Sequence, residues 1–573
     1  MLYPAELRGH SKVYLPSCYL NLKLFDIQIL FFCIRKLYIC LPNRKMLMDS
    51  SKQLSKLILA GYQLTPEAYS YIVSLDNIEE IVEQILSSKI QTVILSLQDI
   101  KKISEQLEPK KSNNIIIAKE PKKAKDIAEK KESKIQESYT MEKKTQKTRP
   151  RKEKYVTDLE IISSPKISKS AGTIDDFHKY FESRFLNISK MFLNRQYVEN
   201  RVSISSLHPN KSKDGVSLVA MVLSKRKTSR GNYILELDDQ NDKITAIISS
   251  SSKNFELIKK AKNILEDTVL CFSGDWKGFG DKSKLEIKDV YWPDIPYDRK
   301  ANKSYEDAFA LFISDIHVGS KKFAENLFSR LINFLNGKLE SKKWNEAGER
   351  VKYLFVAGDV VDGVGIYPGQ EEDLIQENIH LQYLLSAAFF EKIRSDVEII
   401  IIPGNHDAAR AAEPQTPIQK EFAPELYALD NVHLLGSPAY VKAHNVEVLM
   451  SHGNSILDIN SAIVDISHET SVPAMIEMLR NRHLVPVYGK RTSIAPESFD
   501  QLVISRIPDI FHTGHTHISG DENYRGVTLI NSGTFQFQTD YQKSMNINPT
   551  TGKTCIVNLQ TLDRTRIDFN KIS

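Results

Sequence analysis

Five segments in the second half of the chain share one format, an apolar run of strand length that ends in a cluster of polar, ligand-type side chains. They are AFALFISDIHVGS, YLFVAGDVVDG, VEIIIIPGNHD, VEVLMSHG and DIFHTGHTH. Short apolar runs suit strands buried on both faces of a sheet. In an α/β fold the groups just beyond such strand ends are free of the hydrogen-bond ladder and converge on ligands. The format therefore predicts one site that gathers Asp315, His317, Asp359, Asn405, His406, His452, His515 and His517. Carboxylate, imidazole and amide oxygen suit borderline divalent ions, and the lack of thiolates in the set argues against structural zinc. Eleven of the fourteen histidines follow residue 301. His380, His433 and His444 read as ordinary surface or core residues, but the ordered set is too regular for that.

Composition bounds the rest. At roughly 150 residues per domain, 573 residues are too many for one core, and three or four units are expected. Hydrophobic residues at 41% and charged residues at 26% suit a soluble globular protein. Five cysteines without a Cys-x-x-Cys pair exclude a disulfide-stapled scaffold and a zinc ribbon, and predict a reducing, cytoplasmic setting. The net charge of +5 is concentrated between Lys110 and Lys154, where 16 basic residues face 7 acidic ones. Such a stretch cannot bury enough surface to offset its ordering entropy. Residues 108–172 are therefore expected to be a disordered charged linker, either a solvated spacer or a basic arm that touches DNA phosphates in a salt-dependent way. Residues 20–41 are apolar, but Lys23, Asp26, Arg35 and Lys36 interrupt the run of about 18 to 20 residues that a membrane span needs. No membrane partner and no signal peptide are predicted. Met46 and Met48 stand before a helical pattern, so residues 1–45 are expected to stem from a misassigned start codon.

Residues 46–107 show helical periodicity through Leu54, Leu57, Ile58, Ile78, Ile81, Val82 and Ile85, continued by Val93, Leu95 and Leu97. Gly61 is a stop, and Thr65-Pro66-Glu67 is an N-cap followed by proline. A small helical docking domain is expected there. Residues 173–210 form a helical connector with Phe177, Tyr180, Phe181 and Phe185 along one side, facing either a core or a partner. Over 211–298, five alternating segments with a helical NFELIKKAKNIL after the third match an OB-fold barrel. Lys225, Arg226, Lys227 and Arg230 in the first hairpin, with Tyr233, Trp276 and Phe279, suit single-strand binding, although the charges fit an exposed turn equally well.

Asp-x-His, Gly-Asp, Gly-Asn-His-Asp, a lone His after a strand and Gly-His-x-His, in that order, resemble the calcineurin-like metallophosphoesterase superfamily. PAMIEMLRNRHLVPVYGKR, PDIFHTGHTHISG and YRGVTLINSGTFQFQTDYQKSMNINP are similar to the small-subunit family of archaeal family D DNA polymerases. The resemblance spans roughly residues 48–573, is strongest over 305–560, and leaves 1–45 outside. It implies an α/β metallophosphoesterase β-sandwich flanked by helices over 301–573, preceded by the OB-fold barrel and the small N-terminal helical domain.

By the same resemblance Asp315, His317 and His517 would bind a first metal, Asn405, His452 and His515 a second, and Asp359 would bridge them. His406 would stand unligated beside the scissile phosphate as the catalytic residue, with Asp407 orienting its imidazole or merely facing solvent. Two ions about 3.5 to 4 Å apart activate water and stabilise the attacking and leaving oxygens of an in-line displacement. A histidine can supply a proton to the departing oxygen. Manganese is the expected ion pair and magnesium the alternative, since availability selects as much as ligands do. Arg480, Arg482, Lys490 and Arg491, in the long stretch between His452 and His515, would meet DNA phosphates unless they line a solvated helix face. The expected function is a metal-dependent 3′ to 5′ exonuclease acting on primer 3′ ends and single strands, in a heterodimer whose large catalytic subunit polymerises. The competing expectations are a scaffold subunit with an idle site, as in the related eukaryotic polymerase scaffolds that lost their ligands, and a free-standing small-substrate phosphodiesterase. No persuasive clamp-binding peptide is visible, which leaves a sliding-clamp contact open.

Overall fold

A computed structural model describes residues 158–165, 170–193, 195, 198–251, 255–367, 369–463 and 470–572, with short pieces at 63–64, 72, 78–87 and 94–95. The expectations for residues 1–45 and for most of the charged linker lie outside the described residues. The chain divides into two units, 1–134 and 135–573. In the first, a helix spans Ile78–Ser87 with Ile78, Ile81, Val82 and Ile85 buried, as the periodicity predicts. Ile94–Leu95, in contrast, is a strand pairing in parallel with Gln63–Leu64. Val93, Leu95 and Leu97 repeat with a period of two, which suits a strand and not the helical turns expected there.

The second unit starts with β1 (Leu159–Ser163), α1 (Ile174–Lys190) and the barrel strands β2 (Lys213–Lys227), β3 (Tyr233–Asp238) and β4 (Lys243–Ile248). Helix α2 (Phe255–Lys262) precedes β5 (Val269–Lys277) and β6 (Lys284–Tyr291), and the barrel closes in the order β2-β3-β4-β6-β5. Five strands with the helix between the third and fourth make this the expected OB-fold.

Two six-stranded sheets follow. The first runs β10-β9-β8-β7-β16-β17, built from β7 (Phe309–Ile313), β8 (Val351–Ala357), β9 (Glu398–Ile402), β10 (Val432–Leu434), β16 (Lys553–Asn558) and β17 (Arg564–Asp568). The second runs β14-β15-β13-β12-β11-β1, with β11 (Ala439–Ala443), β12 (Val446–Met450), β13 (Ile510–Thr513), β14 (Gly520–Tyr524) and β15 (Val527–Asn531). Alternation explains the layers. Phe312, Tyr353 and Phe355 point between the sheets toward Val448, Met450 and Ile510, while Leu311, Ile313, Leu354 and Val356 meet α3 (Glu325–Leu335) and α4 (Ile379–Glu391) outside. Each such buried side chain contributes about 1.5–3 kcal/mol relative to exposure. Helix α5 (Val472–Asn481) covers the outer face of the second sheet through Met475, Met478 and Leu479. The last helix, α6 (Asp540–Ser544), is one turn and a half after β15.

One result corrects the linker reading, and another decides between the two connector readings. The linker's last residues are not disordered: β1 pairs antiparallel with β11 as an edge strand, Val441 opposite Ile161. LEIIS holds only three apolar residues, a strand signal that the neighbouring charge obscured. Helix α1 faces a core. Thr173 and Asp176 form a capping box, and Tyr180, Arg184, Phe185 and Ile188 are buried. Its end packs Phe185, Ile188 and Phe192 against Val219 and Cys271 of the barrel and against Val503, which ties the barrel to the sandwich. Phe177 and Phe181 are partly buried, edge-on to Tyr488.

Candidate metal centre

Strand register places the residues expected to bind metal. Phe355 pairs with both Phe312 and Ile400, so β7, β8 and β9 end level and deliver Asp315, Asp359 and Asn405 together. In the second sheet Met450 pairs with His512, which sets His452 beside the loop of His515 and His517. Five of these residues, Asp315, His317, Asp359, His515 and His517, have φ between 52° and 71°. Each such non-glycine residue costs on the order of 1–3 kcal/mol, strain that persists where the surroundings enforce it and clusters at working sites. Gly404 is required by closeness, since a Cβ there would stand 2.2 Å from Asp359 Oδ1.

The side chains converge in two groups that share Asp359. His317 Nε2 lies 3.1 Å from His517 Nε2, and His517 Nε2 is 3.5 Å from Asp315 Oδ1. Asn405 Oδ1 is 3.0 Å from His452 Nε2 and 2.9 Å from His515 Nδ1. Asp359 Oδ2 reaches His452 Nε2 at 3.3 Å and His317 Nε2 at 3.8 Å. Asp315, His317 and His517 form one buried triad able to hold an ion, and Asp315, Asp359 and His452 another.

The protonation pattern fits a cation. His452 Nδ1 donates to the carbonyl of Ala357 at 2.7 Å, so the neutral ring keeps a lone pair on Nε2. That lone pair faces the acceptor Asn405 Oδ1, and two acceptors this close need a proton or a metal between them. Burial opposes charge on His452, yet Asp359 outweighs it and raises the imidazole to about 10. Burial likewise opposes charge on His317, and Asp362 and Asp359 lift it to about 8. Burial pushes Asp315 up to about 7. Asp359 is held well below the carboxylate range, with His452 and His406 overcoming its burial. Burial drops His515 to about 3 and His517 well below the ordinary value. Imidazoles and buried carboxylates, with no lysine or arginine in the cluster, are a donor set for divalent ions once the raised histidines give up their protons.

His406 is partly buried, its backbone N–H donating to Asp359 Oδ1 at 2.8 Å and its Nδ1 to the carbonyl of Asp362 at 2.7 Å. Its Nε2 has no hydrogen-bond partner among the described residues, and burial lowers its pKa. Asp407 does not orient this ring. It is buried, accepting from the backbone N–H of Gly404 at 2.9 Å and Val360 at 3.2 Å and from Tyr383 Oη at 3.1 Å, so it braces two ligand loops. Asp362 does what was expected of Asp407: its carbonyl holds His406 and its Oδ1 holds His317 Nδ1 at 3.0 Å. A second aspartate in YLFVAGDVVDG was the only signal for it.

Several expected DNA contacts are engaged inside the protein. Arg482 is buried, Nε donating to the carbonyl of Ile504 at 2.8 Å. Arg480 pairs with Glu477 at 3.1 Å and stacks 3.8 Å over Trp292, lining a cavity of about 400 Å³ between barrel and sandwich. Lys225 donates to the carbonyls of Lys262 and Ile264 at the end of α2. Trp276 and Tyr233 are in the barrel core, where an apolar ring gains more from burial than a surface offers. Arg226, Lys227, Arg230, Lys490, Arg491 and Phe279 are exposed.

Comparison with known proteins adds the lineage. The DNA polymerase II small subunit of Methanothermobacter thermautotrophicus is 39% identical over 402 residues, 70% of this chain and 81% of that protein. The chain belongs to the archaeal DNA polymerase II (family D) small-subunit family. The small subunit from Pyrococcus furiosus is 36% identical over 416 residues, covering 71% of this chain and 67% of its own. Residues 310–519 match the B-subunit family of DNA polymerases alpha and epsilon. A solved archaeal phosphodiesterase aligns with 45% of this chain and 98% of its own at 15% identity and a TM-score of 0.23, so the fold assignment rests on the strand order above. Among the described residues, no helix is long and apolar enough to cross a membrane.

Proposed function

We propose that this small subunit carries a two-metal 3′ to 5′ exonuclease that removes mispaired nucleotides for a replicative polymerase whose large subunit polymerises. The observation that carries this is the convergence of Asn405, His452 and His515 beside the Asp315, His317 and His517 triad, with Asp359 between. A subunit that serves only as scaffold has no need to keep such a cluster. Ions bound there, manganese first and magnesium second, supply Lewis acidity and a nucleophile at neutral pH.

The chain's own residues do the rest. Asp362 fixes the His406 ring through Nδ1, which leaves Nε2 as the atom that takes up a proton from solvent and passes it to the departing 3′ oxygen. Asp362 also fixes the tautomer of His317 so that Nε2 is the ligating atom. The exposed Lys490 and Arg491 are candidates for phosphate contact, and the OB barrel for single-strand contact.

The test is removal of a 3′-mismatched nucleotide from labelled primer-template by the purified chain with manganese or magnesium, alone and with the large subunit. His406→Ala is expected to lower the rate about 10²–10⁴-fold while retaining bound metal. Asp359→Ala is expected to lose both activity and metal. Bound ions without any cleavage, even in the complex, would favour the scaffold reading. Cleavage confined to nucleotide monoesters would favour a small-substrate phosphodiesterase.

A further inference from the structure

Three buried glutamines close the outer side of the cluster, and each is next to a large aromatic ring. Gln370 Nε2 donates to the carbonyl of Asp362 at 2.8 Å, Gln536 Nε2 to Asp362 Oδ1 at 2.9 Å, and Gln542 Nε2 lies 2.9 Å from His517 Nδ1. Tyr367 is on the same turn as Gln370, its carbonyl accepting from Gln370 N at 3.3 Å, whereas Phe537 and Tyr541 directly adjoin Gln536 and Gln542. Consecutive Cα atoms are about 3.8 Å apart, so these rings leave the chain beside the groups that hold His317, His406 and His517.

The rings are not folded away. Tyr541 is 57% exposed and Phe537 43% exposed, and the Tyr367 and Tyr541 rings stack with centroids 6.0 Å apart and planes 20° from parallel. Such faces gain by being covered with another π-system. Several charges around them are engaged with neighbours: Lys543 pairs with Asp540 at 2.7 Å, Lys321 Nζ donates to the carbonyl of Glu372, and Tyr367 Oη donates to Asp373 at 2.9 Å. With the exposed Glu371 and Glu372 also on this rim, its main offering is stacking surface.

We propose that the Tyr367 and Tyr541 stack, flanked by Phe537, receives the unpaired bases next to the scissile bond and thereby selects melted over paired 3′ ends. The inference rests on the exonuclease reading and deepens it. A base in a duplex has its faces occupied by its neighbours, so only a frayed or mispaired end can lay a base on the rings. The phosphate is left to the metal centre.

The test uses the full chain, alone and in its polymerase complex, with a single-stranded oligonucleotide carrying 2-aminopurine at its 3′ end and EDTA to prevent cleavage. Wild type is expected to quench the fluorophore. Tyr367→Leu with Tyr541→Leu is expected to abolish the quench and weaken binding roughly tenfold, the size of one base stack, while Tyr367→Phe with Tyr541→Phe keeps both. Because stacking carries the effect, the tenfold ratio is expected to hold between about 50 and 200 mM salt. Unchanged quench and affinity in the leucine pair, or no quench by wild type, would overturn the platform. If the pair does not fold, Tyr541→Leu alone carries the same test, since its ring is mostly solvent-facing. Failure of the exonuclease reading shows separately, as wild type that quenches normally yet cuts nothing when manganese or magnesium replaces EDTA.

Discussion

At the residue scale, the contest between His452 Nε2 and Asn405 Oδ1 for whatever lies between them gives the centre a pH signature. A histidine whose folded-state pKa is raised above 6.5 stabilises the fold fully below 6.5 and loses that contribution as pH rises through the folded value. The metal-free chain is therefore expected to lose Tm between pH 6.5 and 10 through His452, with His317 adding loss up to about 8. Saturating manganese should shrink that loss, because the ion takes the lone pair that the proton held. Thermal melts of wild type and His452→Gln, with and without manganese, check it. A metal-free wild type that melts like His452→Gln across the window would refute the assignment. The clustered side chains themselves were legible because each follows an apolar strand directly. Their supports were not: Asp362, Gln370, Gln536 and Gln542 act across gaps of 8 to 174 residues, and nothing local marks them.

Elements show where period and charge mislead. Helix α1 was legible as amphipathic, but its central interaction was not, because an arginine on an apolar stripe reads as a break in it. Arg184 is buried and donates to Asp500 at 2.8 Å, and Asp500 also accepts from Tyr180 Oη at 2.7 Å and is 2.7 Å from His483. Asp500 is held far below the carboxylate range, with His483 and Arg184 overcoming its burial. Removing one partner from such a pair leaves an uncompensated buried charge. Asp500→Ala is expected to lower stability by about 3–5 kcal/mol, read from the denaturant midpoint, and a loss under about 1 kcal/mol would show that α1 docks through its apolar face alone. Strand β1 makes the opposite point. Its five residues are weak evidence in isolation, and the exposed edge of β11 is what selects them as a strand.

For the molecule as a whole, the OB barrel is fastened to the sandwich by α1 and by the seam around Trp292 and Arg480, which leaves the β2–β3 hairpin tip as a basic outer surface. Arg226, Lys227 and Arg230 are exposed there, while Lys225 is spent on the carbonyl end of α2. If the barrel contacts single strands, replacing those three with alanine should make the slope of log affinity against log salt shallower by roughly 2, at about 0.7 per phosphate. An unchanged slope would make the barrel a protein platform. Lys225→Ala should instead act on barrel stability and leave the slope alone.

By itself the sequence determined the five strand ends and the side chains that cluster there, the barrel's strand and helix order, and the amphipathic helix that precedes the barrel. Those features are periodic or contiguous, so local chemistry writes them. The tertiary structure alone decided which cations are exposed, which aromatics are core, and which side chains hold the His/Asp cluster in place. Arg482 and Lys225 are spent on main-chain carbonyls, and Trp276 and Tyr233 on a barrel interior. Whether a long polar side chain meets solvent, a carbonyl or a carboxylate depends on which segment the fold sets opposite it, and that partner is written elsewhere in the chain.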